Sequence, residues 1–235
     1  KVVEVGPGYW AVREAHEVPV RFKRSRYQRP LPLPERDGEV IAPLRELLNL
    51  GEGEEAERGL KLVVGFLLGA LHPRGPYPIL FFTGPQGTGK STAARILKRL
   101  LDPYEAELRS LPKTEDDLVV QAKVGWILAF DNLSHLSGEM SDALARLSTG
   151  GGIGKRRLYT DDEEHVLGVK RPVILTSITD LTARDDLLDR AMRVELHPIP
   201  EQDRLPEAEL WAQVEALHPH ILGGLLDAAA FGLGH

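Results

Sequence analysis

The chain contains no cysteine in 235 residues. That absence removes disulfides, thiolate zinc sites, iron–sulfur clusters and cysteine nucleophiles together, and it fits a reducing cytoplasm, the compartment expected here. Nor is there a surplus of positive charge: 29 Lys and Arg face 35 Asp and Glu, a formal net charge of −6. Any nucleic-acid contact must therefore come from local clusters, because association follows the local field and not only the sum. Long apolar runs are missing too. The longest, residues 60–71, is interrupted by Lys61 and falls far short of the ~20 residues that span a bilayer, so no membrane partner is expected. The histidines show no metal-ligand spacing beyond His218 and His220, which flank Pro219 and read as structural. No repeat of solenoid length is visible. What is present, 42% hydrophobic and 27% charged residues, is the balance of an ordinary globular protein, long enough for one sizeable α/β domain or a core with an appendage. The chain opens at Lys1 and not at a methionine, so a domain of something longer, or a processed chain, is expected.

Residues 1–40 read as a β-rich flank. Short β-branched and aromatic runs around Gly6-Pro7-Gly8 suggest small hairpins. Arg21, Lys23, Arg24, Arg26 and Arg29 follow, with Phe22 and Tyr27 between them, and then a stiff Pro30-Leu31-Pro32-Leu33-Pro34 connector. The basic stretch has the chemistry of a single-strand platform; a solvated hairpin face, or a surface packed on another domain, explains it equally well. Residues 41–78 read as a helical subdomain, with helices at 42–49 and 54–71. From residue 79 strands and helices alternate, the signature of a parallel α/β sheet. The pattern predicts five strands, at 79–83, 106–110, 126–130, 172–177 and 192–196, and helices at 89–101, 115–123, 138–148 and 183–190. Residues 79–200 form this core, and 201–235 a short helical tail interrupted at His218-Pro219.

The strongest signal is Gly84-Pro85-Gln86-Gly87-Thr88-Gly89-Lys90-Ser91, a complete G-x-x-x-x-G-K-[ST] between an apolar strand and an amphipathic helix that continues with Thr92. The glycines let successive backbone N–H groups turn toward phosphate oxygens, and the helix start adds partial positive charge at the same spot. Lys90 is expected to reach the β- and γ-phosphates of ATP, and Ser91 to hold Mg²⁺. The apolar strand 126–130 ends in Asp131, the Walker B pattern, in which the acid binds Mg²⁺ directly or through water. Asn132 follows, where many ATPases of this class carry Glu. An amide cannot take a proton as a carboxylate does, though it can orient the attacking water by hydrogen bonding. Glu139 or another acid is an alternative base.

Three further features are less specific. Strand 172–177 ends in Thr176-Ser177, which suits a sensor of the γ-phosphate, although threonine is common at strand ends for no such reason. Arg190, with Arg193 and Arg184 behind it, stands where an arginine can offset phosphate charge in a neighbouring subunit; a surface ion pair with Asp186 or Asp189 is the plain alternative. Lys155, Arg156 and Arg157 follow a glycine run and precede an acidic turn, as in a hairpin that grips a nucleic-acid backbone. Neutralising that turn, or reaching a neighbour's ATP, are the other uses of the same charges.

In combination, GPQGTGKS, WILAFDNLS, GGGIGKRRLYTDDEE, RPVILTSI and DLLDRAMRVEL resemble, in that order, the ATPase part of primase–helicase proteins of phages, plasmids and integrated elements. That group is similar to superfamily 3 helicases and the wider AAA+ class of P-loop NTPases. The resemblance covers roughly residues 20–226. It implies a five-stranded sheet with the sensor strand between the P-loop and Walker B strands, and a ring homo-oligomer, taken as a hexamer. In such proteins Lys90, Ser91 and Asp131 bind Mg-ATP, Thr176 senses it, and Arg190 acts across the interface, on DNA that is single-stranded. Two departures stand out: Asn132 replaces the usual acid, and the tail after Leu196 is too short for a full helical lid. No priming motif is visible, so any primase or polymerase domain would lie upstream.

Three functional classes follow. An ATP-driven DNA motor of mobile-element replication agrees best with the insertion before the sensor strand and with the arginine near the last strand. A non-motor nucleotide switch, serving as loader or scaffold, is the rival that Asn132 favours. A small-molecule P-loop kinase would need an acceptor pocket and a mobile lid.

Overall fold

Continuous apolar runs such as Ile79-Leu80-Phe81-Phe82 and Val173-Ile174-Leu175 dictate a sheet buried on both faces. In the computed structural model, which describes residues 1–21, 25–36, 38–150, 169–178 and 185–235, that sheet is present. Its strands are β3 (Ile79–Thr83), β4 (Leu128–Leu133), β5 (Val173–Ser177) and β6 (Ala191–Glu195), and they lie in the order β4-β5-β3-β6, all parallel. Leu80, Phe82, Ala129, Ile174 and Val194 point to one face, against α1 (Ile41–Leu47), α2 (Gly53–Leu71), α3 (Lys90–Leu101) and α7 (Glu207–Leu233). Ile79, Phe81, Leu128, Phe130, Val173 and Leu175 point to the other, against α4 (Glu115–Val124) and α5 (Gly138–Thr149). Burial of these side chains from water, at ~25 cal/mol per Å² of apolar surface, is the main force holding the layers. The strand that carries Thr176, β5, lies between β3, which leads into the glycine loop, and β4, which carries Asp131, the order the family resemblance implied.

The five-stranded expectation needs correction. Among the described residues the sheet has four strands, and the fifth is reduced to one bridge, Arg109 beside Phe130. Arg109 N–H donates to Ala129 O (3.0 Å) and its carbonyl accepts from Asp131 N–H (2.9 Å), but pairing goes no further. The reason is competition for backbone groups. Upstream, Arg29 N–H donates to Pro103 O, Gln28 bridges Tyr104, and Glu105 N–H donates to Tyr27 O, so the chain that leaves α3 pairs first with the basic N-terminal segment.

The flank holds one hairpin, β1 (Val2–Gly6) with β2 (Tyr9–Arg13), which packs Trp10 against Leu222, Leu226 and Ala230 of α7. The helix expected at 183–190 is the short α6 (Asp185–Leu188) among the described residues. The tail is not interrupted at His218-Pro219: α7 runs through Pro219. A proline there denies a hydrogen bond to the carbonyl four residues earlier, on Glu215, which is exposed and open to water.

Candidate functional site

The site forms where the parallel strands end, the usual place for ligands in open α/β sheets. β3 finishes at Thr83 and the chain turns through Gly84 (φ +136°), Gly87 (φ +81°) and Gly89 (φ +81°) into α3. A Cβ at Gly84 would sit 2.3 Å from Leu196 O, so the loop closes against the exit of β6 only with glycine there. No side chain caps the start of α3, so its first N–H groups meet the loop without a competing acceptor from the helix cap. Pro85 and Gln86 are exposed at the loop tip, Thr88 is buried beneath it, and Thr92 is half-buried on the first turn of α3.

Lys90 is folded into the loop and only 8% exposed. Its ammonium donates to Gly84 O (2.8 Å), Pro85 O (2.6 Å) and Thr88 Oγ1 (3.3 Å). Burial pushes its pKa down, with the nearby Asp131 pulling the other way. Across the loop three oxygen side chains meet: Ser91 Oγ donates to Asp131 Oδ1 (2.7 Å), and Thr176 Oγ1 donates to the same oxygen (2.6 Å). Thr176 Oγ1 also accepts from the backbone N–H of Asn132 (2.9 Å). Asn132 has φ +56°, the one non-glycine residue with positive φ among those described, and sits where the β4–β5 register slips between Phe130 and Leu133. Its side chain is exposed.

Ser91 and Asp131 are hard oxygen donors, the kind Mg²⁺ selects. Among the described residues no cluster of three His, Cys, Asp or Glu could hold a metal by itself. That fits a cation that takes one or two protein ligands and draws the rest from substrate phosphates and water. His218 and His220 form no such site: His218 Nε2 donates to Leu100 O (3.0 Å), and His220 lies 3.9 Å from Glu35.

The other sequence-derived residues are not gathered here. Arg190 O accepts from Ile79 N–H (2.9 Å), at the beginning of β3, and β3 then runs in register with β6 from Ile79 to Thr83 before the loop begins. At ~3.3 Å per residue that puts Arg190 about 13 Å or more from its own glycine loop, on the far end of the strand. Arg193 is nearer, with Nε 3.4 Å from Thr83 Oγ1. Glu139 is exposed in the first turn of α5. Lys155, Arg156, Arg157 and Arg184 lie outside the described residues.

Sequence reasoning missed a second wall of the loop. Asn49, just past α1, donates from Nδ2 to Thr88 O (3.3 Å) and to His197 O. The chain after β6 follows the loop closely: Ile199 Cδ1 would be 3.5 Å from a Cβ on Gly89, and Arg204 Nη2 3.4 Å from one on Gly87. Nothing in the sequence separates these residues from an ordinary polar linker.

The architecture and the loop define a P-loop α/β protein, and the family can now be given. A family model described as actinomycete integrative conjugative element replication protein matches residues 41–231, and the chain belongs to that family. The expected kinship with replication proteins of integrated elements thereby stands. No curated protein matches it. Among solved structures, the NrS-1 C-terminal region is 19% identical at a TM-score of 0.56, covering 86% of this chain and 48% of that one. A second structure of that region, residues 305–718, is 16% identical at a TM-score of 0.53, covering 91% and 54%. A helicase described as SCCmec type IV Cch is 21% identical over 79% of this chain and 33% of its own, with a TM-score of 0.37, too loose for any argument. At these identities the NrS-1 likeness shows the fold alone, and the chain spans about half the length of the solved NrS-1 chain, 48%.

Proposed function

We propose that this chain binds and hydrolyses Mg-ATP and uses the cycle to move or remodel DNA during replication of an integrated element, as a ring homo-oligomer such as a hexamer. The observation that carries the reading is the meeting of Ser91, Asp131 and Thr176 within 2.7 Å contacts beside the glycine loop that holds Lys90. Gly84 to Ser91 and Thr92 would cradle the phosphates, with the Lys90 ammonium exchanging its loop carbonyls for β- and γ-oxygens. Ser91 and Asp131 would hold Mg²⁺, which neutralises phosphate charge when bound. Thr176 keeps one Asp131 oxygen fixed and couples it to the Asn132 amide, so a change at the metal is felt in the chain that follows β4. Asn132 would orient the attacking water. Arg190, remote from its own loop, would serve a neighbouring subunit, and Lys155, Arg156 and Arg157 would contact single-stranded DNA.

One observation favours a non-motor switch as second reading: Asn132 supplies no carboxylate where a base is needed. ATPase rates with and without single-stranded DNA separate the two, with Lys90→Ala as control. The motor reading expects DNA to raise a rate that Lys90→Ala abolishes. A chain that binds ATP yet turns it over at one slow rate, whatever DNA is added, is the switch.

A further inference from the structure

We propose that Arg204 is a phosphate-binding residue of the same site, a second cation from the same subunit that grips the nucleotide's polyphosphate from the outer side of the loop. The inference rests on the reading of the glycine loop as an ATP site and adds a residue to it.

Four observations carry it. The chain after β6 is held along the whole loop, by Leu196 N–H donating to Thr83 O (2.9 Å), by Leu196 O against Gly84, and by Ile199 against Gly89. Asn49 pins the two together, donating to Thr88 O on one side and His197 O on the other. The short helical turn Glu201–Asp203 then reverses the chain, and Arg204 Nε donates back to Ile199 O (3.2 Å). That bond fixes the stem of the side chain and leaves Nη2 facing Gly87, 3.4 Å from where a Cβ would stand. Arg204 is exposed, and among the described residues no carboxylate pairs with it.

A guanidinium held beside a phosphate cradle, without an anion of its own, is matched to a planar two-oxygen contact with phosphate. The segment 196–204 runs along the outer side of the loop and so brings cover as well as charge to it.

The test is calorimetric titration of ATP and of inorganic tripolyphosphate, each with Mg²⁺, into wild type, Arg204→Ala, Arg204→Lys and Lys90→Ala. Arg204→Ala is expected to weaken both ligands by about tenfold, some 1.4 kcal/mol. Arg204→Lys should recover part of the loss, and the unliganded proteins should melt together because the side chain is exposed. Unchanged ATP affinity in Arg204→Ala overturns the proposal, and so does a loss confined to ATP, which would place Arg204 on the base or ribose. Should Arg204→Ala fold poorly, the comparison of Arg204→Lys with Arg204→Gln decides: equal affinities overturn it. If wild type and Lys90→Ala bind alike, the ATP site itself is wrong and this inference falls with it. If they differ while Arg204→Ala matches wild type, only the inference fails.

Discussion

Asn132 is held at φ +56°, a region that costs most side chains roughly 1–2 kcal/mol and that Asn tolerates better than Glu. The local backbone therefore gives a physical reason for the amide that replaces the usual acid. Asn132→Glu should lose about 1 kcal/mol of stability in a urea melt, with Asn132→Gly losing less, because only the former forces a long side chain into the left-handed region. His218 offers a second measurement at this scale. Burial holds its imidazole below the ordinary value of 6.5, with the Arg99 charge adding to the effect and the hydrogen bond to Leu100 O opposing it. The unfolded chain thus binds a proton that the folded chain refuses. Stability is whole above pH 6.5 and is lost as the pH falls below it, toward and through the lowered folded value. Between about pH 7.5 and about pH 5 the melting temperature of wild type should fall further than that of His218→Gln. Equal falls would mean that His218 is not the group responsible.

At the scale of elements, α3 shows what local pattern can and cannot reveal. Its apolar stripe and its stop at Asp102-Pro103 are written in a dozen residues, and the helix ends there with Asp102 as its cap. The partner of that cap is not. Lys98, on the same helix, is buried with Asp102 and donates to its Oδ2 (2.8 Å) and to Ile127 O (2.6 Å), while Oδ2 also accepts from Trp126 N–H and Ile127 N–H. Burial outweighs the carboxylate and lowers the Lys98 pKa. The pair thus ties the end of α3 to the start of β4, whose far end carries Asp131. Asp102→Ala strands an ammonium and two backbone N–H groups, so it should cost about 3–5 kcal/mol; Lys98→Met, which leaves the carboxylate two backbone donors, should cost less. A denaturant series on both variants checks the order. The same division holds elsewhere. Sheet strands and the glycine loop are legible because short apolar runs and a contiguous motif are local. The truncated fifth strand, the two hydrogen bonds that Thr176 Oγ1 makes to Asp131 and Asn132, and the wall made by Asn49 and Arg204 depend on residues tens of positions apart, to which no periodicity points.

For the whole molecule, the sheet sets a length that decides how an arginine can be used. With net charge −6 the chain has no general affinity for phosphate, so each cation at the proposed nucleotide site must be delivered by a particular element. Lys90 comes from the loop itself, whereas Arg190 stands at the opposite end of β3, about 13 Å or more along the strand. An arginine side chain does not cover that distance, so Arg190 serves catalysis only if a second copy presents it. This makes the proposed ring testable by mixing. Lys90→Ala and Arg190→Ala should each abolish turnover, the first by removing a phosphate ligand and the second by leaving transition-state charge unmatched. Mixed in equal amounts and allowed to exchange, they re-form a complete site wherever an Arg190→Ala subunit, with its loop intact, meets a Lys90→Ala subunit that still offers Arg190. Random assembly makes that pairing at about one interface in four, so the mixture should recover about a quarter of wild-type ATPase per subunit if sites act independently. A mixture as inactive as its components would mean that Arg190 does not act between copies of this chain.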